Sequence, residues 1–176
     1  MRKICSLLTL SMCVMAVVWC TLTLKADAAN VTTGTLGDND GIAWTYDEDT
    51  KTLTITGEDT GSFGNAGKSV FVDICPDVEK IIVKDCTVYN CCAMFAYLES
   101  LQSISFENFD TSRVTDMSGM FFNCWRLPGL DVSSFDTSQV ETMNDMFAYC
   151  RLEELDLSTF DTSKLETAYF MFYDCQ

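Results

Sequence analysis

Three copies of one tripeptide are the first residues that carry chemistry. Asp110-Thr111-Ser112 returns as Asp136-Thr137-Ser138 and as Asp161-Thr162-Ser163, each preceded by a phenylalanine, Phe109, Phe135 or Phe160. A carboxylate beside two hydroxyls at fixed spacing has the makings of a calcium site shared between turns of a repeat protein. The same residues also suit a local role, because Asp and Thr at a turn satisfy backbone N–H groups and favour a helix start. The local role explains each residue within its own unit, so no metal is expected there. Asp38-Asn39-Asp40-Gly41 hints at another calcium loop. Its glycine is misplaced for an EF-hand and no Glu stands at the twelfth position, so it reads as a turn.

The cysteines are the second candidates. Cys75, Cys86, Cys91 and Cys92 lie close in sequence, but four residues separate Cys86 from Cys91 and no Cys-x-x-Cys pair follows. Zinc sites want that pairing, so metal is not expected. Cys124, Cys150 and Cys175 keep one register and read as small buried fillers. Stacked neighbours would stand about 5 Å apart, which leaves disulfides open in principle under demanding geometry. Cys75–Cys86, Cys86–Cys91 and Cys86–Cys92 bridges are the alternatives. The chain has no histidine. Ser-His-Asp and Cys-His catalysis are thereby excluded, no acid–base pair is placed by motif, and neither an enzyme nor a cofactor is expected.

The elements that position these residues start after a leader. Arg2 and Lys3 precede an apolar run, Ile4 to Leu24, and Ala26-Asp27-Ala28 ends it. That order is a secretory signal, residues 1–28, with cleavage expected after Ala28. An uncleaved anchor helix is the alternative, since the run is about long enough to span a bilayer, and it is the one membrane contact expected. A lipid anchor on Cys20 is disfavoured by the bulky Trp19 before it. The full chain has 11 basic and 26 acidic residues, a charge of −15. Removing Arg2, Lys3, Lys25 and Asp27 leaves 11 − 3 = 8 against 26 − 1 = 25, or −17. Nucleic acid would be repelled. Seven cysteines remain after cleavage, so at least one thiol stays unpaired in the monomer.

The rest of the chain repeats. The Phe-Asp-Thr-Ser copies are offset by 26 and 25 residues; Met120-Phe121 returns as Met146-Phe147 and Met171-Phe172, with an earlier copy at Met94-Phe95. Leu101-x-x-Ile104-x-Phe106 returns as Leu127-x-x-Leu130-x-Val132 and Leu152-x-x-Leu155-x-Leu157. The end of this part alternates apolar and polar, the pattern of a short strand. Val114, Met117, Met120, Phe121 and Cys124 fall on one helical stripe, which predicts short helices near 113–123, 139–149 and 164–174. Ser112, Ser138 and Ser163 are the expected helix caps, with Glu141 and Glu166 completing capping boxes. One unit cannot bury its own apolar face, so units stack. The expected fold is α/β: a leucine-rich-repeat solenoid, one short strand and one short helix per repeat, over residues 68–176. Phe109, Phe135, Phe160, Met120, Met146, Met171, Cys124, Cys150 and Cys175 become its internal columns.

Met-Phe-x-x-Cys-x-x-Leu-x-x-Leu-Asp-Leu-Ser-x-Phe-Asp-Thr-Ser-x-Val, carried by Met120–Val140 and Met146–Leu165 and more loosely by Met94–Val114, resembles the BspA-like leucine-rich-repeat surface proteins of bacteria. The resemblance covers roughly residues 75–176. It implies a surface-exposed or secreted protein, adhesin-like in some members and without a known ligand in others.

Residues 29–67 differ. Ile42 to Tyr46 and Thr52 to Thr56 read as two strands joined by the polar turn Asp47 to Lys51, a β-hairpin with Trp44, Tyr46, Leu53 and Ile55 on one face. It would cover the open end of the solenoid. Gly57 to Gly67 reads as a loop. The other end shows no cap, which predicts a partial product of a longer array and self-association through the uncapped end. The outward strand positions form the expected recognition face: Ser105, Asp131 and Asp156 in one column, flanked by Gln102, Glu153 and Glu154. Their acidity serves solubility equally well. Trp125 beside Arg126 has the composition of an interface hot spot. The reading is a secreted or cell-surface, non-catalytic binding module for host or matrix proteins or glycans. The alternative is a structural spacer or a fragment of a longer surface protein.

Overall fold

The computed structural model describes residues 30–36, 41–59, 64, 65 and 67–175. The expected leader and cleavage site, Cys20 and Asp38–Asp40 lie outside the described residues. Among those described, no helix is long and apolar enough to cross a membrane.

Three N-terminal strands begin the main sheet: β1 Val31–Leu36, β2 Ile42–Asp47 and β3 Thr52–Asp59. They pair antiparallel in order. Asp47 builds the β2–β3 turn by accepting from the N–H groups of Asp49 at 2.9 Å and Thr50 at 3.1 Å, the usual Asx solution. A two-residue ladder follows, β4 Gly64–Asn65 with β5 Lys68–Ser69, and then the single turn of helix α1, Phe71–Ile74. β6 Lys80–Val88 and β7 Ser103–Asp110 complete a mixed sheet in the order β1-β2-β3-β6-β7. β3, β6 and β7 run parallel.

The hairpin therefore continues the sheet of the repeats beyond their first strand. Its second strand lies in register with the first repeat strand, so Trp44, Ile55, Val83 and Phe106 form one row across the sheet and Tyr46, Leu53, Ile81 and Ile104 another. Period-two alternation puts these side chains on the inner face; Trp44, Tyr46, Leu53, Ile55, Ile81 and Val83 are buried. The stretch read as a loop, 57–67, is partly strand, because β3 runs to Asp59. Gly57 is required at that point: its φ is +112° and a Cβ would meet the Gly41 carbonyl oxygen at 2.1 Å.

The expected strand-plus-helix repeat is not what forms. The structure is a mixed five-stranded sheet, and α1 is the only helix among the described residues. Nothing helical occupies 113–123, 139–149 or 164–174. A helix needs each N–H to reach four residues back. Here alternate N–H groups leave the unit instead. Met117, Gly119, Phe121 and Asn123 donate to Thr142, Asn144, Met146 and Ala148 of the next repeat at 2.8–3.0 Å. Between them, Met120, Phe122 and Cys124 donate three residues back, to Met117, Gly119 and Phe121. The result is two consecutive tight turns. Each carries a left-handed residue, Gly119 and Asn123 in this repeat, Ala93 and Tyr97 before it, Asp145 and Tyr149 after it, Phe170 and Asp174 in the last.

The capping boxes fail for the same reason. The N–H groups of Ser112, Ser138 and Ser163 donate to Asp110, Asp136 and Asp161 Oδ1 at 3.0, 3.0 and 2.8 Å. Those of Glu141 and Glu166 donate to Thr115 and Glu141 of the preceding repeat at 2.8 Å. Later strands shrink as well, to isolated bridges such as Gly129↔Glu154. Asp131 and Asp156 accept from the N–H of Ser133 and Ser158 at 3.0 and 2.8 Å. That Asx turn bends the chain where β7, with Ser105 at the equivalent place, stays extended.

Stacking nevertheless buries one continuous core. Phe95, Phe121, Phe147 and Phe172 stack in turn with ring centroids 5.6–5.8 Å apart and planes within 23° of parallel, each pair adding about 0.5–1.5 kcal/mol beyond its buried area. Met120, Met146, Cys124, Cys150, Phe109 and Phe135 are buried, whereas Phe160 and Met171 are half-buried and Cys175 is exposed.

Candidate functional site

The outward residues Gln102, Ser105, Asp131, Glu153, Glu154 and Asp156 are all exposed. Two of them are partly committed to their own turns. Besides its N–H, Ser133 donates its hydroxyl to Asp131 at 2.6 Å. Hydrogen bonds from Ser133 hold the Asp131 carboxyl below the usual carboxylate value, and those from Ser158 do the same for Asp156. This face is acidic and exposed, and its two aspartates serve the chain before any ligand.

The Phe-Asp-Thr-Ser column has an internal task. Thr111 and Thr137 are buried polar side chains. Thr111 Oγ1 donates to the Asp136 carbonyl at 3.0 Å and accepts from the Asp136 N–H at 2.9 Å. Thr137 does the same with Asp161, at 3.1 and 2.8 Å. Each hydroxyl thus clips one repeat to the next through both of its hydrogen-bonding functions. Asp110 and Asp161 are held below the ordinary carboxylate value by Ser112 and Ser163. Among the described residues, no group of three or more Cys, Asp or Glu side chains is placed to hold a metal ion.

Among the described residues the cysteines are thiols and form no bridges. Cys124, Cys150 and Cys175 donate their S–H to the carbonyls of Phe95, Phe121 and Phe147 at 3.1, 3.0 and 3.0 Å. Burial pushes the Cys124 thiol well up and Cys75 and Cys150 to about 12. Thiols in that state are poor nucleophiles and poor metal ligands. The column is a second set of inter-repeat fasteners.

One feature escaped the sequence reading. Tyr97, Phe122, Tyr149 and Tyr173 form a surface ladder with ring centroids 5.1, 5.3 and 5.5 Å apart. Tyr149 and Tyr173 are 38% and 51% exposed, and Tyr97 and Phe122 are half-buried. Beside the ladder runs a groove of about 270 Å³, lined by Ala93, Ser118, Gly119, Asn144 and Asp145 with Tyr97 and Phe122 as its wall. Successive rings are inclined by 49°, 71° and 74°, so they make a corrugated surface rather than one flat shelf. Lys68 Nζ stands 5.8 Å from the Tyr97 centroid. The Tyr149 hydroxyl is raised above its ordinary value by desolvation first, then by Tyr173, Asp174 and Asp145 beside it. The signal was present in the sequence but split between two positions. The aromatic is the third residue after the methionine in Met94-Phe95-Ala96-Tyr97 and Met146-Phe147-Ala148-Tyr149. It is the second in Met120-Phe121-Phe122 and Met171-Phe172-Tyr173.

Elsewhere, Arg126 lies over the exposed Trp125 ring at 5.0 Å, and Arg113 lies over Tyr89 at 5.2 Å while also donating to its hydroxyl.

Residues 87–176, just over half of the chain, match the model of a family described as "Mycoplasma protein of unknown function, DUF285". No curated protein and no solved structure matches the chain.

Proposed function

Since the chain belongs to that family, we propose that it is a secreted or surface-displayed binding module, non-catalytic and adhesin-like, of the BspA-like kind that its repeat motif resembles. The observation that carries this reading is the aromatic ladder. Large rings kept at the surface across four repeats cost solubility and add nothing to the interior spine. Exposed apolar strips rimmed by polar groups mark interaction sites, and repeat stacks bind along such extended faces. The partners proposed are host or matrix proteins or glycans. The high negative charge disfavours nucleic acid.

A structural spacer is the second reading, favoured by the hydrogen bonds that spend Asp131 and Asp156 on their own turns. Binding of the purified chain to matrix proteins, mucin and polysaccharides tests both. The panel is run at two salt concentrations, with and without calcium. Saturable binding that survives high salt supports the module. A folded monomer that binds nothing in the panel supports the spacer.

A further inference from the structure

We infer that the strip formed by Tyr97, Phe122 and Tyr149, with its groove, is the docking site for an extended, arginine- or lysine-bearing segment of a partner protein. The inference rests on the protein-binding reading above and names its site and the chemistry it reads.

Three observations converge on a cationic partner. The first is the ring geometry. Inclined rings in edge contact, about one repeat apart, present a corrugated row of faces along which the side chains of an extended chain can lie. A sugar polymer stacks its flat faces on coplanar rings, and inclinations of 49° and 71° deny it that shelf. The second is charge. The chain carries −15 overall, and Asp145 lines the groove. Glu99 stands at the Tyr97 end, accepting from Asn123 Nδ2 at 3.1 Å. Carboxylates beside aromatic faces attract cations by two mechanisms at once, Coulombic and quadrupolar. An anionic lipid surface or a polynucleotide is repelled by the same charges.

The third observation is a precedent within the molecule. The first ring of the strip already holds an ammonium, that of Lys68 over Tyr97. Among the described residues no Lys or Arg lies over Phe122 or Tyr149. Those two rings offer the next places along the same line. Gly119 keeps the groove beside Phe122 open: at φ +60° it has only Phe122 Cβ within 4 Å of where its own Cβ would be. Backbone in the strip is committed to the neighbouring repeat through Phe121, Asn123 and Tyr149 N–H groups. Recognition is therefore by side chains, not by adding a strand.

The test uses the purified full chain and a labelled synthetic peptide in which arginine alternates with serine, followed by fluorescence anisotropy. A matched peptide with glutamate for arginine and an N-acetylglucosamine oligomer are run beside it. The arginine peptide is expected to bind saturably and the other two not. Phe122→Ala with Tyr149→Ala is expected to weaken binding about tenfold, the scale of two partly desolvated cation–π contacts. Tyr149→Leu keeps the apolar bulk and removes the ring face, so a loss there does not reflect misfolding. Asp145→Asn keeps a residue that tolerates the left-handed backbone and is expected to weaken binding chiefly at low salt. Asp131→Lys with Asp156→Lys is expected to leave peptide binding unreduced at high salt, where the change in net charge is screened. Equal binding by the strip variants overturns the inference, as does glycan binding that alone depends on them. Matrix-protein binding that survives the strip variants but is lost on Asp131→Lys with Asp156→Lys overturns this inference and leaves the protein-binding reading standing. A folded chain that binds neither the panel nor the arginine peptide overturns both.

Discussion

Thr137→Val isolates the energy of one inter-repeat clip. Valine matches threonine in shape, so it fills the same buried site and creates no cavity. What it removes is the hydroxyl that donates to the Asp161 carbonyl at 3.1 Å and accepts from the Asp161 N–H at 2.8 Å. Both backbone groups then lack their partner. A buried unsatisfied group costs about 1–3 kcal/mol. Asp161 itself is exposed, so water recovers part of the loss. The expected cost is about 2 kcal/mol, a fall of roughly 4–8 °C in Tm for a domain of this size. Thr137→Ser keeps the clip and loses one methyl, at about 1 kcal/mol. Urea unfolding followed by circular dichroism measures both, with the slope of the transition unchanged. Thr111→Val breaks the equivalent clip to Asp136, one interface away, so the two valines should add. A Thr137→Val protein as stable as the parent, or less damaged than Thr137→Ser, would refute the claim that this hydroxyl fastens the repeats.

Acid should loosen the stack. The carboxyls of Asp110, Asp131, Asp156 and Asp161 sit below the usual value of 3.8 in the folded chain. Their contribution is whole above that value and fades as pH falls through the lowered folded ones. Tm should therefore drop below about pH 4, and less steeply in a variant with asparagine at all four positions. Cysteine alkylation by iodoacetamide at neutral pH, read by mass, should label exposed Cys175 first. Buried Cys75, Cys91, Cys124 and Cys150 should react only on unfolding; rapid labelling of Cys124 in the folded chain would contradict its place in the core. Gly57→Ala should destabilise by about 3 kcal/mol or more, since both its φ and the Gly41 carbonyl oppose a Cβ. A shift of the urea midpoint smaller than that of Thr137→Val would count against this.

The repeat and its inward columns were legible because burial acts on side-chain identity at a fixed period, and Met120, Met146, Cys124 and Cys150 carry that period whatever the backbone does. The backbone was not legible in the same way. Val114, Met117, Met120, Phe121 and Cys124 are spaced as on a helix, yet a pair of three-residue turns points the same residues inward. Of the left-handed residues that decide between the two, Gly119, Asn123, Asp145 and Asp174 are types that enter that region readily, but the other four are Ala93, Tyr97, Tyr149 and Phe170. No local propensity announces them; the bonds to the next repeat impose them. The strand at Leu130–Val132 failed on a signal that was present, since Asp131-x-Ser133 is an Asx turn. The hairpin strands were marked by alternation and a polar turn. Their parallel pairing with β6 was not, because a contact 28 residues apart, Leu53 with Ile81, leaves no mark on either segment alone.

The aromatic ladder shows why a column search and a surface search give different answers. The ring sits at one position in two repeats and at the neighbouring position in the other two, and it alternates with Ala96, Asn123, Ala148 and Asp174. A rule that demanded one residue type at one position would find nothing. Yet the centroids stay 5.1–5.5 Å apart through all three steps. One position is the second left-handed residue of the repeat, as at Tyr97 and Tyr149, and the other directly precedes it, as Phe122 precedes Asn123 and Tyr173 precedes Asp174. Either can therefore reach the same surface line. The interior spine keeps strict register because Phe95, Phe121 and Phe147 must each fill one fixed volume. The outer line is free of that demand and keeps only the ring. An interior constraint selects position, whereas a binding surface selects what is presented. The alternating register is what selection for a presented aromatic face would leave behind.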